Sequence, residues 1–518
     1  MKYKLDADEG LFIDQGDTPL GNKQQINGGG VDEELGLYQA VQYLLQFTDF
    51  YKEWEKKLLV KKYLTFEAVE NTTFKFTKAG LSYSLDNGKT WASLAANTAT
   101  PTVNAGNKIL FKGEMTPSSS NPYGIGTFSS TGKYNAMGNV MSLLFGDNFI
   151  GQTDLTGKND AFYSLFASNT HLVDASNLKL PATTLTNYCY YYMFDGCTSL
   201  TSAPELPATT LANQCYSYMF NGCTSLTSAP ELPATTLTND CYNSMFNGCT
   251  SLTSAPELPA TTLTDYCYNE MFHGCTSLTS APELPAITLA DNCYNGMFHG
   301  CTSLTSAPVL PAITLADNCY NGMFSGCTSL TTAPVLPATT LTEYCYNEMF
   351  HGCTSLTTAP VLSATTLTEY CYSHMFDGCT SLTTAPELPA TTLANHCYYY
   401  MFNGCTSLTT APELPATTLE YSCYSYMFAG CTSLIKAPEL PATTIQYASY
   451  CYNGMFQDCR NLNYIKAMFT TTPSTNYTSN WVSGVSATGT FVKNSAATWN
   501  VTGVNGVPTG WTVETASA

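Results

Sequence analysis

Positive charge is scarce along most of this chain. Between Lys179 and Lys436 there is no lysine or arginine, while 17 aspartates and glutamates fall in the same interval, so nearly all of the formal charge of −19 sits there. Phosphate backbones are bound through cationic side chains, so nucleic acid is excluded as a partner of this stretch. An anionic membrane is disfavoured by the same repulsion. The lysines gather in the first third instead, as at Lys56, Lys57, Lys61 and Lys62. No apolar run approaches the length of a membrane span, which predicts no membrane insertion. The opening "MKYKLDADEGLFIDQGD" lacks the apolar core of a secretory signal. Synthesis is therefore expected to finish in a cytoplasm, where thiols stay reduced, even if the protein acts elsewhere after lysis.

Signatures of catalysis are also missing. There is no nucleophile elbow, P-loop or dinucleotide fingerprint, and no pair of cysteines two to four residues apart of the kind zinc sites use. These gaps predict a protein that is not an enzyme and has no cofactor; a glycan depolymerase is the least favoured reading.

Cysteine, by contrast, is abundant and regular. All 22 cysteines fall in two columns, the first at 189, 215, 241, 267, 293, 319, 345, 371, 397, 423 and 451 and the second eight residues later in each copy. A degenerate copy with Ala161 and Asn169 in the cysteine positions precedes them. About twelve units at one period, nine of the ten intervals between first-column cysteines being 26 residues, predict a solenoid in which no unit buries its apolar side alone. Equivalent cysteines in adjacent units would lie ~5 Å apart, near enough for a bridge. Their Cβ vectors would run parallel, however, and free cysteine packs as a small buried hydrophobe, so a core ladder is the preferred reading.

One unit, "LADNCYNGMFHGCTSLTSAPVLPAITL", reads in two halves. Asp291 or Asn292 would cap a short helix with Cys293, Met297 and Phe298 on its apolar face and Gly300 as its stop. Pro308 and Pro311 then forbid helix and favour an extended run. A short helix plus a short parallel strand per unit is the pattern of a leucine-rich repeat. The string "MFHGCTSLTSAPVLPAITL" resembles the BspA-like leucine-rich repeats, over about residues 161–467. Arrays similar to these are associated with adhesion and with surface proteins of gut Bacteroidetes and their bacteriophages. The chain departs from that pattern in placing a cysteine where an aliphatic residue is usual.

The flanks differ. Residues 1–30 read as a flexible acidic attachment segment ending in three glycines, and 31–63 as a helix. Its seam of Leu37, Ala40, Leu44, Phe47, Tyr51, Trp54 and Leu58 suits either a short coiled coil or packing on the next domain. Residues 64–150 read as a small β-sandwich or barrel, 151–467 as the solenoid, and 468–518 as a β-hairpin cap. "SLDNGKTW", from Ser84 to Trp91, resembles the Asp-box, with Asp86 bracing a hairpin turn and Trp91 packing beneath it.

Comparison of the units with one another locates the candidate site. Met-Phe, Gly-Cys and Leu-Pro barely change, whereas positions around the first cysteine vary among Tyr, Asn, Asp, Ser, Glu and His. Tyr188, Tyr191, Tyr192, Tyr218, Tyr266, Glu270, His273, His299, Tyr344, His374, Tyr399, Tyr400 and Tyr426 are the candidates. They form either a recognition surface, with tyrosine supplying amphipathic area, or a set of unconstrained solvent positions. His273, His299 and His351 share a column with Asp195, Asn221, Asn247, Asp377 and Ala429, which suits solvent better than a metal ladder. Glu205, Glu231, Glu257 and Glu283 would stack ~4.8 Å apart, either as a solvated strand face or as a row of calcium ligands.

The expected function is recognition of a bacterial surface glycan or protein, by a bacteriophage tail or head fibre docked to virion proteins through its N-terminal region. A bacterial cell-surface adhesin and a cytoplasmic protein-binding scaffold are the alternatives, and self-association is open.

Overall fold

Each unit of the array begins with a run of tight turns where the apolar spacing predicts a helix. In Thr186–Cys197 the amides alternate between two kinds of bond. Cys189, Tyr191, Met193, Asp195 and Cys197 each donate to the carbonyl three residues back, at 3.0–3.2 Å. Tyr188, Tyr190, Tyr192, Phe194 and Gly196 instead donate to Asn213, Cys215, Ser217, Met219 and Asn221 of the following unit, at 2.7–3.2 Å. An α-helix would send every amide four residues back. The turns that close on Cys189, Met193 and Cys197 have Tyr188, Tyr192 and Gly196 as their third residue, at φ of 60°, 56° and 67°. A type II turn requires that left-handed conformation there. The Gly before the second cysteine, Asp458 in the last unit, is thus a turn residue, not a helix stop.

This computed structural model describes residues 2–6, 10–14, 61–120, 123–445, 448–473 and 475–516. The expected helix at 31–63 lies outside the described residues, apart from its last three. The chain divides into two units, 1–58 and 59–518. In the first, β1 (Lys2–Asp6) pairs antiparallel with β2 (Gly10–Asp14), where the sequence reading expected a flexible segment.

The turn run buries residues in pairs. Cys189, Tyr190, Met193, Phe194 and Cys197 are inaccessible, and the intervening pairs face outward, a period of four that recurs along the array. Rings of equivalent units stack directly. The phenylalanine column from Phe166 to Phe456 has centroids 5.3–5.9 Å apart with planes within 12°. A second column runs from Phe162 through Tyr190 to Tyr452 at 5.5–6.0 Å. The hydroxyls of Tyr190, Tyr216, Tyr242, Tyr294, Tyr320 and Tyr424 are buried and find no hydrogen-bond partner. Such burial costs about 1–3 kcal/mol each, so packing of the ring has to outweigh it.

All 22 cysteines are free and buried. The second-column thiols from Cys223 to Cys431 each donate to the phenylalanine carbonyl two places before the Gly-Cys of the preceding unit, as Cys301 does to Phe272 at 3.1 Å. A small side chain with a weak donor fits this position.

The extended half of each unit is not a continuous strand through the middle of the array. Prolines such as Pro308 and Pro311 supply no amide, so only isolated parallel bridges form, as at Thr332–Thr358 and Thr358–Thr384. Ladders appear where a proline-free neighbour supplies donors. At the start, β10 (Leu172–Lys179) pairs parallel with β9 (Tyr134–Asn139). At the end, β11 (Lys436–Leu440), β12 (Tyr464–Ala467), β13 (Thr490–Lys493) and β14 (Thr512–Thr515) form one parallel sheet. Among the described residues the expected terminal hairpin is therefore absent; parallel rungs continue instead. Trp481, Trp499 and Trp511 seal them, their indole N–H groups donating to Gly506, Phe469 and Ser486 carbonyls.

Ahead of the array, β3 (Leu64–Ala68), β5 (Leu81–Ser84), β6 (Ala92–Leu94) and β7 (Lys108–Gly113) join β9 and β10 in a six-stranded sheet that does not close into a barrel. A separate ribbon pairs β4 (Phe74–Phe76) with β8 (Phe128–Ser130). Phe66 is the hub, within 4.8–5.9 Å of Phe74, Phe111, Phe128, Tyr134 and Phe166. Phe166 also heads the phenylalanine column, so domain and array share a core. Asn169, in a cysteine position, donates to the Tyr134 hydroxyl at 2.9 Å across this junction. In the Asp-box, the Thr90 hydroxyl and amide donate to Asp86 and the Ser84 hydroxyl adds a third bond, holding that carboxyl down to about 2. Trp91 lies edge-on to Tyr63 with the Lys112 ammonium 4.4 Å from its ring centre.

Burial raises every thiol above its ordinary value, to about 12 for Cys189, Cys301 and Cys353, so no thiolate is available at neutral pH. The native protein is expected to take up less than one equivalent of iodoacetamide per chain at pH 7.5, and all 22 cysteines to react in guanidinium; fast native labelling would contradict the buried ladder.

Candidate functional site

The outward pairs of the turn run hold the residues that vary between units, and their backbone makes that variation informative. The position three after the first cysteine is left-handed in every unit: it is Gly at 296, 322 and 454, but Tyr192, Tyr218, Ser244, Glu270, Glu348, His374, Tyr400 and Tyr426 adopt it at φ of 50–57°. An L side chain pays roughly 1–2 kcal/mol for that conformation, so these side chains are kept where glycine would be easier. The residue before the first cysteine is left-handed too, as at Tyr188, Tyr266, Tyr344 and Tyr370.

The rings gather in two clusters. In the first, Tyr191 stacks on Tyr163 at 5.1 Å and stands edge-on to Tyr192 at 4.3 Å, with Tyr188 at 5.6 Å and Tyr218 stacked on Tyr192 at 4.9 Å. In the second, Tyr344, Tyr370 and His396 stack in one row at 4.4–4.6 Å, and His374, Tyr400 and Tyr426 in another at 4.6–4.9 Å. Tyr399 bridges the two rows, 5.3 Å from His396 and 4.5 Å from Tyr400. Between the clusters lie two units with Asn295-Gly296 and Asn321-Gly322 in these positions. Tyr163 and Tyr370 were not singled out from sequence, although Tyr370 shares a column with Tyr188 and Tyr344 and could have been found from it.

Tyr266, Glu270, His273 and His299 belong to neither cluster. Tyr266 is exposed, and the rings of His273 and His299 are 4.7 Å apart. Burial, then the neighbouring His273, lowers the pKa of His299, and burial lowers that of His396. His374 contacts Asp377 at 2.9 Å. Among the described residues no three His, Cys, Asp or Glu side chains are placed to hold a metal. Glu205, first of the glutamate row, meets the Lys179 ammonium at 3.4 Å, and Glu231, Glu257 and Glu283 follow it on successive rungs without converging. No helix among the described residues is long and apolar enough to cross a membrane.

The profile of the BspA type leucine rich repeat region matches residues 172–294, 239–383 and 349–480, which together span more than half of the sequence. The chain belongs to the BspA-type leucine-rich repeat family. That membership places it among repeat proteins of surface adhesion and protein binding. No curated protein matches it in sequence. Among solved structures, a chain of the crystal structure of a TLR13–ssRNA13 complex aligns at 16% identity with a TM-score of 0.23, over 66% of this chain and 49% of that one. The present chain thus spans about half of that receptor chain, and the likeness is too weak to bear on its structure or role.

The two depressed histidines give this BspA-type array a pH dependence of known sign. Their neutral form is favoured in the fold, so the unfolded state binds more protons as pH falls through their ordinary value near 6.5. Stability is then full above that value and declines below it. Asn replaces histidine elsewhere in both columns, at Asn221 and Asn292. The double variant His299→Asn/His396→Asn is expected to show a smaller fall in Tm between pH 7.5 and 5.5 than the parent. An unchanged or steeper fall would contradict the assignment.

Proposed function

We propose that this chain is a non-enzymatic adhesion protein that recognises a protein receptor on a bacterial surface through the two ring clusters of its turn runs. The observation that carries the reading is that Tyr, His and Glu side chains stand at left-handed positions where glycine occurs in other units. A protein receptor is favoured over a glycan by the stacking itself. In the rows Tyr344–Tyr370–His396 and His374–Tyr400–Tyr426 the ring faces cover one another, so edges and hydroxyls remain to be presented. Sugars dock on open ring faces, whereas a protein surface can use edges and hydrogen bonds. The absence of lysine and arginine between Lys179 and Lys436 points to a neutral or basic receptor patch. In this reading the chain is carried as a fibre on a bacteriophage particle and attached to it through its N-terminal region. Its presence in, or absence from, the peptide mass spectrum of purified particles separates that placement from a bacterial cell-surface adhesin.

The receptor claim is tested with residues borrowed from other units. Tyr370→Asn, His396→Asn and Tyr400→Gly each install the residue found in the same column at Asn292, Asn318 or Gly296. The full-length triple variant is expected to keep its Tm within a few degrees and to bind host cells at least tenfold more weakly. Undiminished binding would remove these clusters from the function.

A further inference from the structure

We propose that the extended side of the array carries a second docking surface, centred on Val309, Val335 and Val361, for a polypeptide segment with an apolar middle and lysine or arginine at both ends. These valines occupy a column that is glutamate in every neighbouring unit, from Glu205 to Glu283 before them and from Glu387 to Glu439 after them. They are 79%, 77% and 77% exposed. A second column, threonine elsewhere, turns to Ile287 and Ile313 in two adjacent units, 61% and 69% exposed. In these two columns the apolar replacements are thus confined to four consecutive units. Scattered exposed apolar residues need no explanation, but a localised patch with a polar rim marks an interaction site.

The partner's chemistry follows from what surrounds the patch. Between the Glu283 and Val309 units lies a cavity of about 360 Å³ with Pro282, Pro285, Pro308 and Pro311 in its wall. Proline offers no amide, so the occupant is held by side-chain contact and not by strand addition. Glu283 and Glu387 bracket the patch, and no lysine or arginine lies between Lys179 and Lys436 to answer them. They are four units apart, about 20 Å at ~4.8 Å per rung, which an extended segment covers in about six residues at ~3.3 Å each. A second copy of this chain is the poorer occupant. With the valine columns facing, either parallel or antiparallel pairing sets glutamate against glutamate on both sides.

The test uses the full-length chain and a fluorescent peptide with two lysines at each end and six central residues alternating valine and threonine. Saturable binding is expected, at least tenfold weaker for Val309→Thr/Val335→Thr/Val361→Thr, which changes neither shape nor charge. Glu283→Gln/Glu387→Gln is expected to weaken binding and flatten its dependence on salt. Should the threonine variant fold poorly, Val335→Glu serves, because seven other units carry glutamate there. Failure of the peptide to bind, equal binding by the valine variants, or equal binding of a glutamate-flanked peptide would overturn the proposal. So would a concentration-dependent dimer of the parent, seen by sedimentation and lost in the valine variants, which would assign the patch to a second copy. The Tyr370→Asn/His396→Asn/Tyr400→Gly variant is expected to bind the peptide normally, so failure of the receptor reading leaves this one standing.

Discussion

Every amide of a turn run from Tyr188 to Cys197 is hydrogen-bonded, and alternate amides reach the next rung. This alternation is the constraint from which the rest of the array follows. A backbone that sends every second N–H sideways must reverse direction every two residues, which puts two side chains in and the next two out. The inward pairs become the Cys-Tyr and Met-Phe of each unit, stacked on their equivalents. The third residue of every second turn must be left-handed, which sets Gly before the second cysteine and leaves a strained choice at the other two positions. Because the amides of the turn run bond main-chain carbonyls, the outward side chains are free to differ from unit to unit.

That freedom separates structure from recognition within one short stretch. Cys189 and Cys197 serve as small interior groups, and the second thiols also satisfy phenylalanine carbonyls one rung away. Between them, Tyr191 and Tyr192 face outward and join a cluster assembled from several units. The extended half is different in kind. With prolines withholding donors, it contributes Leu200, Leu206 and Leu211 to the core but little main-chain ladder. Its outward column is left to carry charge, or at Val309, Val335 and Val361 its absence.

The period, the two cysteine columns, their burial and the family were all legible from residues, because exact repetition is read from spacing alone. The helix was not. Apolar residues at offsets 0, 1, 4, 5 and 8 fall within about 140° of a helical wheel at ~100° per residue, so a turn run of period four imitates an amphipathic helix. Gly296 and Gly322 in the middle of the supposed helix, and the Asn-Gly or Asp-Gly pairs before Cys197, Cys223, Cys249, Cys379 and Cys405, were the contrary signals. The terminal hairpin was misread because Gly- and Thr-rich strands carry no mark of parallel or antiparallel pairing. Of the candidate site, the tyrosines at Tyr188, Tyr192, Tyr344 and Tyr400 were found by internal comparison. Their division into two clusters needed coordinates, since it depends on which columns are adjacent in space.

Amide hydrogen exchange resolved along the array tests the turn-run scaffold most directly. Slow exchange is predicted across the turn runs, from Tyr188 to Cys197 and their equivalents in central units, with fast exchange in the proline-bearing segments such as 305–314. Protection concentrated in the extended segments, with the turn runs exchanging freely, would contradict it.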